Sequence, residues 1–217
     1  FLFFDLYKTI DDYGKINHPA IPVSSIRITA DVVDAHAALF AHGCFDNSRI
    51  KATYGTGAFI EINTGNKMLE PDGLLPIFVA WELDNGIEYS IEGGVFSVGS
   101  AIDWLVKNNF LNEVNSSSDL IEKIKSDNSV FMVPSFTGLS APHWSSNSKA
   151  LINGIGLDTT KDHIVRAAFD GIAFQCAEVI NLLAKTQKNE VFEVCADGGP
   201  TNNNYLMQKQ SDLLNME

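Results

Sequence analysis

Positive charge is scarce in this chain. Fifteen lysines and arginines face 27 aspartates and glutamates, leaving a formal net charge of −12, and the basic residues never cluster beyond one or two. Nucleic acid and anionic membrane surfaces are therefore disfavoured as partners. No uninterrupted apolar run reaches the 18 or more residues that suggest a spanning helix. Cysteine is equally sparse. Cys44, Cys176 and Cys195 are odd in number and far apart in sequence, and they fit neither a disulfide framework nor a zinc spacing. A reducing, cytoplasmic setting is expected. The five histidines are scattered, and His36 and His42 are not spaced as paired ligands on one helix face, so no metal site is legible. The chain opens on Phe1 rather than Met and stops at Glu217 just beyond an amphipathic run, which leads us to expect a piece of a longer protein.

What is present suits one globular domain or one large lobe: 217 residues, 45% of them hydrophobic. The stretch Ala52–Gly65 stands out. Tyr54-Gly55-Thr56-Gly57 reads as a tight turn, and Ala58, Ile60 and Ile62 then alternate with Phe59, Glu61 and Asn63 at the period of a strand. Two glycines around a threonine let backbone N–H groups and one hydroxyl approach an anion such as phosphate. Taken alone, Gly-Thr-Gly is a weak signal, and a plain tight hairpin turn is the better reading of it.

The segment before this, residues 1–30, begins with the apolar run Phe1–Phe4 and reads as a connector with a first strand over Ile21–Ile28. Asp31 or Asp34 falls at the start of a helix. Asp34 is there either an N-cap or a general base at the C-terminal edge of a sheet. Beyond the turn, Leu74–Trp81 and Glu88–Glu92 read as strands joined by an Asn85-Gly86 hairpin, so that residues 52–92 form an antiparallel meander ended by Gly93-Gly94. Val95, Val98, Ile102 and Leu105 fit a helix stripe. A short helix over Asp119–Lys125, a buried strand over Val130–Pro134 and an aromatic loop to Trp144 follow, with His143 read as structural.

A long helix, about Lys161 to Lys185, shows Ile164, Ala168, Ile172, Cys176, Val179 and Leu183 on one face. Last comes a strand over Val191–Ala196, the turn Asp197-Gly198-Gly199 and a helix from about Tyr205. Strand, glycine turn and helix N-terminus make a second place where backbone donors could meet phosphate or ribose, or a simple tight turn with an Asn cap.

These motifs together are similar to those of the FGGY carbohydrate kinases, nearest their glycerol kinase branch. They are Tyr54-Gly55-Thr56-Gly57 with Asn63-Thr64-Gly65, Phe136-Thr137-Gly138-Leu139 with Ala141-Pro142 and Trp144, Gly154-Ile155 followed by His163-Ile164 and Ala167–Asp170, and Asp197-Gly198-Gly199 with Asn203. They occur in the family's order, over roughly residues 13–217. The resemblance implies an α/β fold of the ribonuclease-H-like, actin-like ATPase type, with a mixed sheet flanked by helices. It implies a connector and tail of an N-terminal lobe over 1–26, and most of the C-terminal lobe over 27–217. ATP and Mg²⁺ would be the cofactors and a small polyol the substrate, held against the N-terminal lobe of the same chain; a homo-oligomer stays open. Carried over, Asp34 is the general base and touches substrate, and Phe59 packs on the carbons of glycerol. Thr56, Gly99, Gly199 and Asn203 meet the nucleotide. Three residues depart from the family's pattern. Val33 and Ala35 replace the Gly and Gln that flank the base, and Asp103 replaces a nucleotide-contacting Gln. A non-catalytic nucleotide-binding or regulatory relative is the alternative they raise.

Overall fold

The computed structural model describes all residues except 1–6, 24, 70–72, 115–116, 125–128, 187–190, 192 and 217. The expectation for Phe1–Phe4 lies outside the described residues. A five-stranded sheet forms the frame, in the order β5-β6-β4-β3-β9. Its strands are β3 (Arg49–Tyr54), β4 (Ala58–Gly65), β5 (Ile77–Leu83), β6 (Gly86–Val95) and β9 (Glu193–Asp197). Only β9 runs parallel to its neighbour, β3; the 49–95 meander is antiparallel throughout. Two small pairs, β1 (Lys15–Ile16) with β2 (Ile26–Arg27) and β7 (Phe131–Val133) with β8 (Leu151–Asn153), stand apart from it. The helices are α1 (Asp34–Ala41), α2 (Gly99–Lys107), α3 (Ser117–Glu122), α4 (Lys161–Thr186) and α5 (Asn204–Leu214), with a 3₁₀ turn at Gly199–Asn202.

The period-two residues of the meander build the core. Ile50, Ala52 and Tyr54 of β3, Ile60 and Ile62 of β4, and Ile91 and Val95 of β6 are buried in one cluster with Phe169, Ile172, Cys176, Val179 and Leu183 of α4. Helix α4 is long and apolar enough to cross a bilayer by composition, but 61% of its most apolar window is buried inside the fold. Its hydrophobicity serves the core.

Several boundaries move, for local reasons. Strand β5 begins after Pro76, not at Leu74; proline has no N–H to give a ladder. The two-residue loop is Asp84-Asn85, and Gly86 opens β6 at φ +118°. Gly93-Gly94 does not end the meander: β6 runs on to Val95, and a Cβ at residue 93 would collide with Val179 of α4. Val95 is thus a strand residue, and α2 starts at Gly99. Among the described residues of Ile21–Ile28, only Ile26–Arg27 is strand.

Candidate functional site

Three backbone segments converge at the C-terminal ends of β3 and β9. The turn Gly55–Gly57 closes the β3–β4 hairpin, and its carbonyls are held by the start of α2. Gly99 N–H donates to Gly55 O (3.0 Å), while Val98 N–H (2.9 Å), Ser100 N–H (3.1 Å) and Ser100 Oγ (3.2 Å) donate to Thr56 O. The positive end of α2 is therefore spent on bracing the turn. A Cβ at residue 99 would lie 2.6 Å from Gly55 O, so only glycine lets helix and turn approach this closely. On the other side, Thr53 of β3 is in register with Asp197 of β9. Gly198, at φ +98°, then presses its backbone onto that of Tyr54, where no side chain fits.

The expected residues occupy this frame as follows. Thr56 is exposed at the turn's tip, and Gly99 is its brace. Gly199 opens the 3₁₀ turn beside Gly198, and a Cβ there would meet nothing within 4 Å: it borders open space. Asn203 is buried. Its Oδ1 accepts from Leu206 N–H (2.8 Å), capping α5, and its Nδ2 donates to Ser117 Oγ (2.7 Å), so both ends of the amide are engaged within the protein. Phe59 is 53% exposed, on the sheet face opposite the core.

Asp34 is not an N-cap. That place belongs to Val33, whose side chain cannot accept a hydrogen bond, and Asp34 is the first helical residue of α1. One carboxylate oxygen accepts from Ala35 N–H (2.8 Å), and the charge sits at the positive end of the helix. Helix α1 lies over the same sheet face that carries Phe59. Among the described contacts none joins Asp34 directly to Phe59 or Thr56: Asp34 is carried by α1, Phe59 by β4 and Thr56 by the β3–β4 turn.

Two polar constellations were not anticipated. At the far end of α1, His42 Nε2 meets Asp197 Oδ2 at 2.7 Å, tying the helix to β9 just before the Gly198-Gly199 turn. Nothing in the sequence signals that pair. Beneath α1, Lys51, Glu61 and Glu92 stand side by side across β3, β4 and β6. Lys51 Nζ lies 3.3 Å from Glu61 Oε2, His36 Nε2 lies 3.6 Å from Glu61 Oε1, and both Lys51 and Glu61 are fully buried. Burial, then the contact with Glu61 and its like charge, push the Glu92 carboxyl up to about 7, against the opposing pull of Lys51. The strand pattern puts Glu61 on the face opposite Ile60 and Ile62, but parity gives the face and not what covers it. The Lys51–Glu61 pairing itself was readable: both residues lie five positions from Thr56, so a hairpin centred there must set them opposite each other. Cys44 and Cys195, distant in sequence, also meet on this face, and burial pushes Cys44 up to about 12, the state of an inert thiol.

A cavity of about 710 Å³ lies elsewhere, between α4, β7 and the loop around Leu139–His143; none of the expected site residues lines it. Among the described residues no group of three or more His, Cys, Asp and Glu could hold a metal ion. His143 pairs with Glu178 of α4 at 3.0 Å at the surface, a structural contact.

Comparison with known proteins supplies the family. Residues 50–217 match the FGGY family of carbohydrate kinases, C-terminal domain. Glycerol kinase 2 of Thermotoga maritima is 38% identical over 190 residues, 87% of this chain and 38% of that protein. Glycerol kinase of Brevibacillus brevis is 39% identical over 214 residues, 98% of this chain and 42% of that protein. The crystal structure of Plasmodium falciparum glycerol kinase with ADP superposes with a TM-score of 0.86 at 34% identity, over 96% of this chain and 42% of that one. A ligand-bound xylulose kinase from Lactobacillus acidophilus shares the fold at a TM-score of 0.76 and 20% identity, over 89% of this chain and 39% of that one. The chain thus spans about two fifths of the curated relatives it matches. With its α/β, actin-like ATPase architecture and this match over most of its length, the chain belongs to the FGGY family of carbohydrate kinases.

Proposed function

We propose that this chain forms, over residues 27–217 and after a connector at 1–26, the C-terminal lobe of a cytoplasmic kinase. That kinase transfers the γ-phosphoryl group of ATP to glycerol or a related polyol, giving the 3-phosphate. The observation that carries the reading is the convergence of the Gly55–Gly57 turn, the start of α2 and the Gly198-Gly199 turn at one sheet edge, with open space beside Gly199. The relatives named glycerol kinase, one of them solved with ADP, point to the same substrate pair.

In this reading each residue has a chemical task. Phosphoryl transfer depends on positioning and charge stabilisation more than on covalent help from the protein. Thr56 offers its exposed hydroxyl to the phosphates, on a turn that Gly99 keeps rigid. Gly199 leaves room for the nucleoside, and Asn203 shapes that loop by capping α5. Phe59 presents an exposed ring to the carbons of the polyol. Asp34 takes the proton of the attacking hydroxyl as the new P–O bond forms. Mg²⁺ would neutralise phosphate charge. The described residues build no cage for it, which fits an ion that arrives on the phosphates. Beside Asp34, Ala35 offers the polyol no hydrogen bond. Asp103 is exposed on α2 and adds negative charge to that helix. Ala35 bears on the choice of polyol and Asp103 on the nucleotide. Nothing favours a non-catalytic relative.

The test is a coupled ADP-release assay on the full-length polypeptide with glycerol, xylulose, ribulose and gluconate. Turnover fastest on glycerol is expected. A faster reaction on another substrate would move the assignment to that one, and no turnover on any would overturn the kinase reading. The 217-residue chain by itself should show negligible turnover, since the ligands lie between two lobes.

A further inference from the structure

Helix α1 carries Asp34 at its first position, yet little holds that end in place. Its N-cap, Val33, contributes no side-chain hydrogen bond, and Ala35, Ala37 and Ala38 are too small to reach far into the sheet. Its buried side chains are His36 and Leu39. Leu39 grips the middle of the helix and His42, through Asp197, the far end. The aim of the first turn is therefore left to His36. Its ring rests 6.0 Å from that of Phe78, its Nε2 reaches Ser90 Oγ at 3.4 Å, and the charge it meets is Glu61.

Glu61 is placed at a cost. A buried carboxylate is expensive unless compensated, and an apolar residue on β4 would be cheaper. Compensation comes from the charge of Lys51 on β3, at 3.3 Å and itself fully buried; among the described residues neither Glu61 oxygen has a hydrogen-bond partner, and Glu92 stands opposite it on β6. Glu88, further along β6, is taken up by Asn63 Nδ2 at 2.7 Å, and β5 contributes the uncharged Phe78. Lys51, Glu61 and His36 thus form a line from the sheet to the helix, ending two residues from Asp34.

We propose that Glu61 is a positioning residue for the phosphoryl transfer, anchored by Lys51 and acting through His36 to fix the first turn of α1 and with it the Asp34 carboxylate. The proposal rests on Asp34 being the base. It predicts that loosening the line moves the carboxylate relative to the attacking hydroxyl without altering the nucleotide turns, which are built from other segments.

The experiment uses the full-length polypeptide and the variants Glu61→Gln, Glu61→Leu, His36→Leu, Asp34→Asn and the double variants of Asp34→Asn with each of the others. Glu61→Gln keeps the side chain's size and polarity while removing its charge, and frees Lys51 to pair with Glu92, so it folds even where Glu61→Leu does not. Expected is a fall in kcat of roughly ten- to hundredfold for Glu61→Gln and for His36→Leu, the scale of a misplacement of about 1 Å. KM for ATP should be unchanged, and no further loss should appear in the Asp34→Asn background. If Asp34→Asn is inactive while Glu61→Gln keeps the unmodified kcat, the positioning role is overturned and the base survives. A rise in KM for ATP that tracks a lowered melting temperature also overturns it, in favour of a purely structural role. If Asp34→Asn itself keeps kcat, the base assignment falls and the positioning role falls with it.

Discussion

The two faces of the central sheet are built on opposite principles. One face meets α4 through Ile50, Ala52, Tyr54, Ile60, Ile62 and Ile91, a continuous apolar contact with Phe169, Ile172 and Val179. The other meets α1 through Lys51, Glu61, Glu92, His36 and Ser90, with only the small cluster of Leu39, Cys44, Ala80 and Trp81 beside them. Apolar burial is non-directional and tolerates small shifts; charged contacts in a dry interior fix distance and angle. The first face keeps the domain folded. The second holds a short helix in one orientation and leaves Phe59 uncovered beside it.

This contrast can be broken by substitutions that should affect one property and spare the other. The largest effect belongs to the polar face. Asp34→Asn should lower kcat about 10²- to 10⁴-fold, the usual worth of a general base, with the melting temperature close to that of the unmodified protein. A melting-point loss with kcat preserved would mean that Asp34 only stabilises the helix start. Next comes the apolar face. Phe169 is fully buried, so Phe169→Ala should cost about 3–5 kcal/mol of stability in urea titration while the folded fraction keeps its kcat. A kcat change larger than the stability loss explains would show that the two faces are coupled.

Third, Gly99→Ala forces a Cβ against Gly55 O, an overpacking worth about 1–3 kcal/mol. KM for ATP should rise while KM for the polyol holds, and steady-state kinetics with each substrate varied will show which moves. The smallest effect concerns Glu92, whose folded pKa of about 7 lies above the ordinary 4.5. Between those values the folded state binds more protons than the unfolded one, so this group's contribution to stability falls as pH rises from about 4.5 to about 7. Glu92→Gln should flatten that slope in thermal melts taken across the interval. An unchanged slope would place the titration on another group.

Much of the first face was legible before any coordinates. The alternation of Ala58, Ile60 and Ile62, and the stripe from Ala168 to Leu183, name the residues that meet in the core, because period alone determines which side chains share a face. The Gly55–Gly57 turn was likewise visible, as was the Gly198-Gly199 turn. Less legible were the ends of elements. Gly93 looked like a stop and proved to be a contact point with Val179, since a missing side chain can mean flexibility or close packing, and only the neighbour decides. Local rules favoured a cap for Asp34, because an acidic residue at a helix start most often serves as one; the structure gives that place to Val33.

By itself, then, the sequence determined the elements, the inward faces of the strands and of α4, the glycine turns and the motifs that mark the family. All of these follow from short-range rules: period, turn chemistry and the scarcity of positive charge. Tertiary structure alone decided what lies over each face. It buried Glu61, which alternation had placed only on the face opposite Ile60 and Ile62, joined His42 to Asp197 across 155 positions, and brought the 55–57 turn, the start of α2 and Gly198 to one edge. A residue's partners across a sheet or under a helix depend on registers and packing set by the whole chain. That is why the frame could be read along the sequence, and the burial of the charged line and its meeting with His36 beneath Asp34 could not.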